Sequence, residues 1–195
     1  MHGLVNRALQ SFVCNTYGQD RWKRMLDAAG LGQVEFEAMF TYEDRITEKL
    51  LAALATELDR PLDDILEDVG TYLVSHPELE RLRRLLRFGG ETYPDFLHSL
   101  DDLPDRARLA VPDLDLPTLE LREYTNGDYC LNCGLGLPGF TYTLMGILRA
   151  MADDYGALVL LDYLGGSERC EQISISVIQS AFSEGRTFEL GASHG

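Results

Sequence analysis

The hydrophobic pattern of this chain changes character after its first hundred residues, and that change constrains the fold more than any other feature. Through those residues apolar side chains recur at helical spacing, and beyond Pro117 alternating stretches appear. One kind of element cannot satisfy both periods. Leu4, Val5, Ala8, Leu9, Phe12 and Val13 predict a first helix that ends at Tyr17-Gly18. Gln19 to Ala29 follows, with Trp22, Met25 and Leu26 on one face and Gly30 as cap. Further helices are predicted at Asp44 to Leu58 and, behind Pro61, at Leu62 to Val74. Ser75-His76-Pro77-Glu78 has capping-box spacing and opens a short basic helix, Leu79 to Phe88, which Gly89-Gly90 breaks. Phe96, Leu97, Leu100 and Leu103 gather on one helical face. That helix should end at Leu103, because Pro104 disfavours helical geometry in its predecessor.

Pro104, Pro112 and Pro117 punctuate a connection, and strands follow. Leu119 to Tyr124 alternates, Asn126-Gly127 is a hairpin turn, and Asp128 to Cys133 returns. Tyr142 to Tyr155 reads as a helix stopped by Gly156. Strands Ala157 to Tyr163 and Gln172 to Ile178 are joined through Gly165-Gly166. The expected class is α+β: a helical half, then an antiparallel sheet carrying one long packed helix. One domain over residues 1–182 is expected, with a polar tail at 183–195 that should fray.

Charge narrows the partners. Acidic residues outnumber basic ones by 32 to 17, a formal charge of −15. Nucleic acid requires a basic face to displace counterions, and an anionic membrane surface requires the same, so neither partner is expected. No run approaches the roughly 18 apolar residues of a membrane span. The opening MHGLVNRALQ lacks an apolar core and a small-residue cleavage site, so no signal peptide is expected and the cytoplasm is the expected compartment.

Few residues suggest chemistry. Cys130-x-x-Cys133, with Cys170 later, has the only metal-like spacing, but zinc wants four tetrahedral ligands. In a strand, residues 130 and 133 point to opposite faces, so two half-buried thiols are the simpler reading and a zinc or thiol redox sensor the alternative. Gly134-x-Gly136 lacks the lysine of a phosphate loop. No Ser-His-Asp, kinase or metallohydrolase motif is present, and an enzyme is not expected.

Several strings occur together in a telling order. They are Met1-His2-Gly3-Leu4-Val5-Asn6, Tyr17-Gly18 with Trp22, Leu86-Arg87-Phe88-Gly89-Gly90, and Phe96-Leu97 with Leu100-Asp101 and Leu103. Pro112, Pro117, Gly139, Gly146-Ile147-Leu148 and the strand Leu158 to Tyr163 continue the series. Over about residues 1–180 the chain resembles the heme-nitric-oxide/oxygen-binding (H-NOX) family, which includes the sensor domain of soluble guanylate cyclase.

The resemblance implies a b-type heme pocket, and it also marks where this chain departs from one. The family's ligand histidine lies one residue beyond the Leu103 match, where this chain has Pro104. Pro117 matches the proline that presses on the porphyrin, and Thr143 falls among the family's pocket positions. The Tyr-x-Ser-x-Arg clamp for the propionates aligns with Cys133, Leu135 and Leu137. A leucine in place of that arginine removes the charge-assisted bonds that hold a dianion. His98 lies opposite the apolar stripe of its helix and is turned toward solvent, so it is a poor substitute. His2 is expected to contact backbone rather than metal. No cofactor is therefore expected. The expected function is a stand-alone sensory domain, heme-free, with a pocket made more apolar by Leu135 and Leu137. Such a domain would bind an apolar small molecule or a partner protein, by family resemblance a histidine kinase or cyclic-dinucleotide enzyme. The alternative is a heme-based nitric oxide sensor with another ligand.

Overall fold

The computed structural model describes residues 1–32, 34–125 and 127–188. The helical half contains α1 (Gly3–Tyr17), α2 (Gln19–Ala28), α3 (Asp44–Leu58), α4 (Leu62–Ser75) and α5 (Glu80–Arg87), with a single 3₁₀ turn at Pro77–Leu79 ahead of α5. Leu9, Phe12, Trp22, Met25, Phe36, Leu50, Leu54, Ile65 and Val69 close its core. The glycine punctuation behaves as the sequence predicts: Gly18 (φ 91°) separates α1 from α2, and Gly30 (φ 67°) follows α2. His2 caps α1, its Nδ1 accepting the Leu4 amide at 3.2 Å, which is the backbone role expected of it.

Two short helices come next, α6 (Tyr93–His98) and α7 (Leu103–Ala110). Here the sequence reading fails. The predicted helix through Leu103 breaks instead at Ser99 to Asp102, and Pro104 lies in the first turn of α7 rather than beyond a helix end. A proline in a first turn costs no intrahelical bond, because the amide it lacks would have been an orphan. The expected capping box at Ser75 to Glu78 is absent as well, since Ser75 ends α4 and His76 makes no side-chain cap. The box occurs at α6, where Thr92 and Asp95 cap each other.

The sheet half comprises β1 (Leu119–Thr125), β2 (Asp128–Gly134), α8 (Phe140–Tyr155), β3 (Leu158–Gly166) and β4 (Cys170–Gln179), all antiparallel in the order β1-β2-β4-β3. Asn126 of the expected hairpin lies outside the described residues; Gly127 takes φ 97°. Gly165 is a bulge within β3 rather than the β3–β4 turn, which closes through the Ser167 amide on the Cys170 carbonyl at 2.8 Å. Register Leu121↔Leu131↔Ile173↔Tyr163 crosses all four strands. Tyr129, Leu131, Cys133, Ile173 and Ile175 turn to the inner face, against Leu144, Leu148 and Met151 of α8 and Phe96, Leu97 and Leu100 near α6.

The two halves meet where α4 crosses α8. A Cβ built on Gly70 would overlap the Thr143 carbonyl, and one on Gly146 would overlap the Glu67 carbonyl. Backbone therefore lies directly on backbone at this crossing. Tyr142 packs against both cores.

The expectation of a frayed tail from residue 183 is corrected over the described part. Phe182 and Ser183 amides donate to the Gly156 carbonyl at 2.8 and 3.0 Å, and the Arg186 amide donates to the Asp154 carbonyl at 2.9 Å. Arg83 reaches the Thr187 carbonyl at 3.2 Å. Residues 189–195, and with them His194, lie outside the described residues.

Candidate ligand pocket and its lining

The six positions that the sequence reading assigns to a heme pocket do not share one cavity wall. Pro104 is buried in the first turn of α7, beside buried Leu103 and Ala107. Pro117 is buried just ahead of β1, and Cys133 on β2 is fully enclosed in the sheet core. Leu135 is 54% exposed, in the loop between β2 and α8. Leu137 and Thr143 are half-buried. The expected apolar interior at Leu135 is therefore wrong: the strand ends at Gly134, so the alternation that would aim residue 135 inward has stopped. The Thr143 hydroxyl is spent on the Gly139 carbonyl at 3.2 Å within its own helix.

This geometry separates the two leucines experimentally. Leu135→Arg should change stability by less than about 0.5 kcal/mol, as exposed substitutions do. Leu137→Arg should cost more, about 1–2 kcal/mol, since half of its apolar surface is packed. Thermal melts of the two variants side by side test the ordering.

The groups that ligate iron or zinc are occupied or turned away. His98 is 55% exposed at its side chain, with Nε2 3.4 Å from Glu123 and its ring edge-on to Tyr129. His76 stacks on Tyr72 at the end of α4, 4.8 Å between ring centroids. Burial pushes the Cys133 thiol up to about 12, with a hydrogen bond from Thr141 opposing the shift, so at neutral pH it is protonated and a poor ligand. Cys133 faces the core, whereas Cys130 and Asn132 occupy the other face of β2, where Asn132 accepts from Gln172 at 2.7 Å. Cys170 pairs in register with Gly134, and its neighbour Glu171 pairs with Cys133. Among the described residues, no three His, Cys, Asp or Glu side chains come together as a metal site.

Most of the buried phenols and cations are committed too, although Arg87 Nε and Nη1 and Arg106 Nε have no hydrogen-bond partner among the described residues. Tyr93 donates to the Leu148 carbonyl at 3.1 Å, and Tyr155 to the Gly90 carbonyl at 2.9 Å. Arg106 donates to the Ser99 and Leu85 carbonyls at 2.9 and 3.4 Å. Arg83 bonds Asp154 at 2.7 Å, and Arg87 lies 3.7 Å from the same carboxylate with its guanidinium over the Tyr155 ring. Sequence reasoning missed this cluster. Its one legible trace is the pair of arginines at 83 and 87 in a chain so acidic, since the carboxylate they share is 71 residues from Arg83.

Residues 2–161 match the family model described as Haem-NO-binding (HNOB). The chain belongs to that family. As an H-NOX domain it is a sensor domain of a gas-sensing family and not itself a catalytic one. The architecture agrees with solved members. The H-NOX protein from S. oneidensis in the Fe(II)NO ligation state superposes with a TM-score of 0.75 at 15% identity, covering 91% of this chain and 99% of that one. An unliganded Fe(II) H-NOX mutant from K. algicida gives a TM-score of 0.77 at 17% identity, over 92% and 97% of the two chains. Among curated relatives, soluble guanylate cyclase gcy-31 of Caenorhabditis elegans is 22% identical over 154 residues, 79% of this chain and 22% of that protein. Soluble guanylate cyclase 89Db of Drosophila melanogaster is 20% identical over 164 residues, 84% of this chain and 24% of that protein. This H-NOX domain thus spans about a quarter or less of the curated relatives it matches. No helix among its described residues is long and apolar enough to cross a membrane.

Proposed function

We propose that this H-NOX domain signals without heme, by contact with a partner protein. The observation that carries the reading is Pro104. At the position to which the resemblance assigns the iron ligand stands a buried residue with no donor atom, in the first turn of α7. The residues present do not fit heme in other respects. Neither His98 nor His76 lies in the sheet core, Cys133 is a protonated thiol, and the clamp positions Leu135 and Leu137 carry no charge. Arg83 and Arg106 already hold a carboxylate and carbonyls, so propionates would have to displace those partners.

Packing favours a protein partner over an apolar small molecule. Phe96, Leu100, Leu131, Leu148, Met151 and Ile173, at 0% exposure, occupy the space between α6, α8 and the sheet. A ligand placed there would have to displace these side chains from one another. The domain would then serve as a fixed surface that regulates a signalling enzyme, either in the same polypeptide, as the cyclase relatives suggest, or as a separate histidine kinase or cyclic-dinucleotide enzyme.

The test is absorption after reconstitution. Protein produced with excess heme precursor, then incubated with hemin and desalted, should show no stoichiometric Soret band. A one-to-one Soret band would sink the proposal in favour of a heme-based nitric oxide sensor, and its loss in His98→Ala would identify the ligand.

A further inference from the structure

The C-terminal segment that the fold returns to α8 is held in an unusual way. Residues 182–187 are exposed, yet the group they fasten to is among the most buried in the molecule: Asp154, 1% exposed near the end of α8. Asp154 receives Arg83 of α5 at 2.7 Å, Arg87 of α5 at 3.7 Å and Arg186 of the segment itself at 3.9 Å. Its backbone carbonyl takes the Arg186 amide at 2.9 Å, while Arg83 spans from the Asp154 carboxylate to the Thr187 carbonyl. Phe188 closes the arrangement, with the Arg87 and Arg83 guanidinium carbons 5.1 and 5.9 Å from its ring centroid. The fit of the main chain is equally specific. A Cβ at Gly185 would overlap the Asp154 carbonyl, and one at Gly156 would overlap the Ser183 carbonyl.

We propose that residues 182–188 form a releasable strap that couples the end of α8 to α5. Three elements meet at one carboxylate, and a single guanidinium, that of Arg83, bonds two of them at once. Undocking the strap removes the Thr187 acceptor from Arg83, the Arg186 cation from Asp154 and the Phe188 ring from Arg87. Any shift of α8 relative to α5 must in turn move the Asp154 carbonyl that the strap is bonded to. Such a strap opens readily, since three main-chain bonds, one bond from the Arg83 side chain and exposed polar residues hold it rather than an apolar core. This assignment concerns how the domain passes on a change in its state, and it stands whether or not heme is bound.

Hydrogen exchange on the full chain tests it. Asp154→Asn risks unfolding, so the diagnostic variant is Gly185→Ala, which strikes the strap alone. In the parent protein the bonded amides of Phe182, Ser183 and Arg186 should exchange at least about ten-fold more slowly than in an unstructured peptide of that sequence. In Gly185→Ala their protection should vanish, trypsin should cut at Arg186 about ten-fold faster, and exchange in α5 over residues 80–87 should rise while α1 stays unchanged. Two results would overturn the proposal: these three parent amides exchanging at the unstructured rate, or a strap released by Gly185→Ala with no change in α5. The first would mean there is no dock, and the second that the strap is passive.

Discussion

Asp154→Asn is expected to destabilise the domain by about 3–5 kcal/mol, the cost of leaving one partner of a buried ion pair behind. The amide preserves shape but removes the carboxylate that, among the described residues, pairs with the Arg83 and Arg87 side chains, which are 8% and 13% exposed. For a domain of this size the melting temperature should fall by roughly 10 °C. Arg83→Met should cost a similar amount, because it strands Asp154 with the more distant Arg87. The double variant should cost less than the sum of the singles, with a coupling of about 2 kcal/mol in a double-mutant cycle. Strict additivity would show that the two groups act independently and that water already satisfies them.

Comparable losses are expected where α4 crosses α8. In an isolated helix, glycine to alanine is favourable by about 1 kcal/mol. At Gly70 and Gly146 the sign should reverse, because the added methyl meets main-chain carbonyls of the facing helix, which cannot swing aside as a flexible side chain can. Gly70→Ala and Gly146→Ala should each cost about 2–3 kcal/mol net, within the range for overpacked cores. Gly166→Ala serves as the control, since its added methyl would first meet only the flexible side chain of Glu171 at 3.2 Å. Chemical denaturation of the three variants checks the contrast; a stabilised Gly70→Ala would mean that the helices stand further apart.

Most of the element order was legible because it rests on local rules. The helix Asp44–Leu58 has the bounds its periodicity predicts, and the four strands fall where alternation begins. The failures share a cause. From Phe96 to Leu103 the apolar spacing fits one continuous helix, so Pro104 looked like its terminator. The competing signal was Asp101-Asp102 ahead of Leu103-Pro104, acidic residues before a first-turn proline, which marks a helix start. The alignment with the family's clamp placed Leu135 inward, but the ladder stops at Gly134 and the residue beyond it is exposed. The docking of residues 183–188 was invisible because its partners are distant: Thr187 meets Arg83 across 104 positions. Such contacts leave no periodic trace.

The pocket positions are a different case. Residue identity at Pro104, Cys133, Leu135 and Leu137 could be read directly. What could not be read was the neighbourhood: that Cys133 is sealed beneath α8 while Leu135, two residues on, faces water.

The glycine crossing also bears on how such a chain can drift. A joint made largely of main-chain atoms depends less on side-chain identity than on the absence of a side chain at Gly70 and Gly146. While those persist, the helical half and the sheet half keep their mutual pose, however far the lining of either one departs from its ancestors. That helps explain how a protein 15% identical to the S. oneidensis H-NOX retains its architecture at a TM-score of 0.75. Geometry is inherited through the backbone there, which leaves the chemistry of the interior free to be lost, replaced or put to other use.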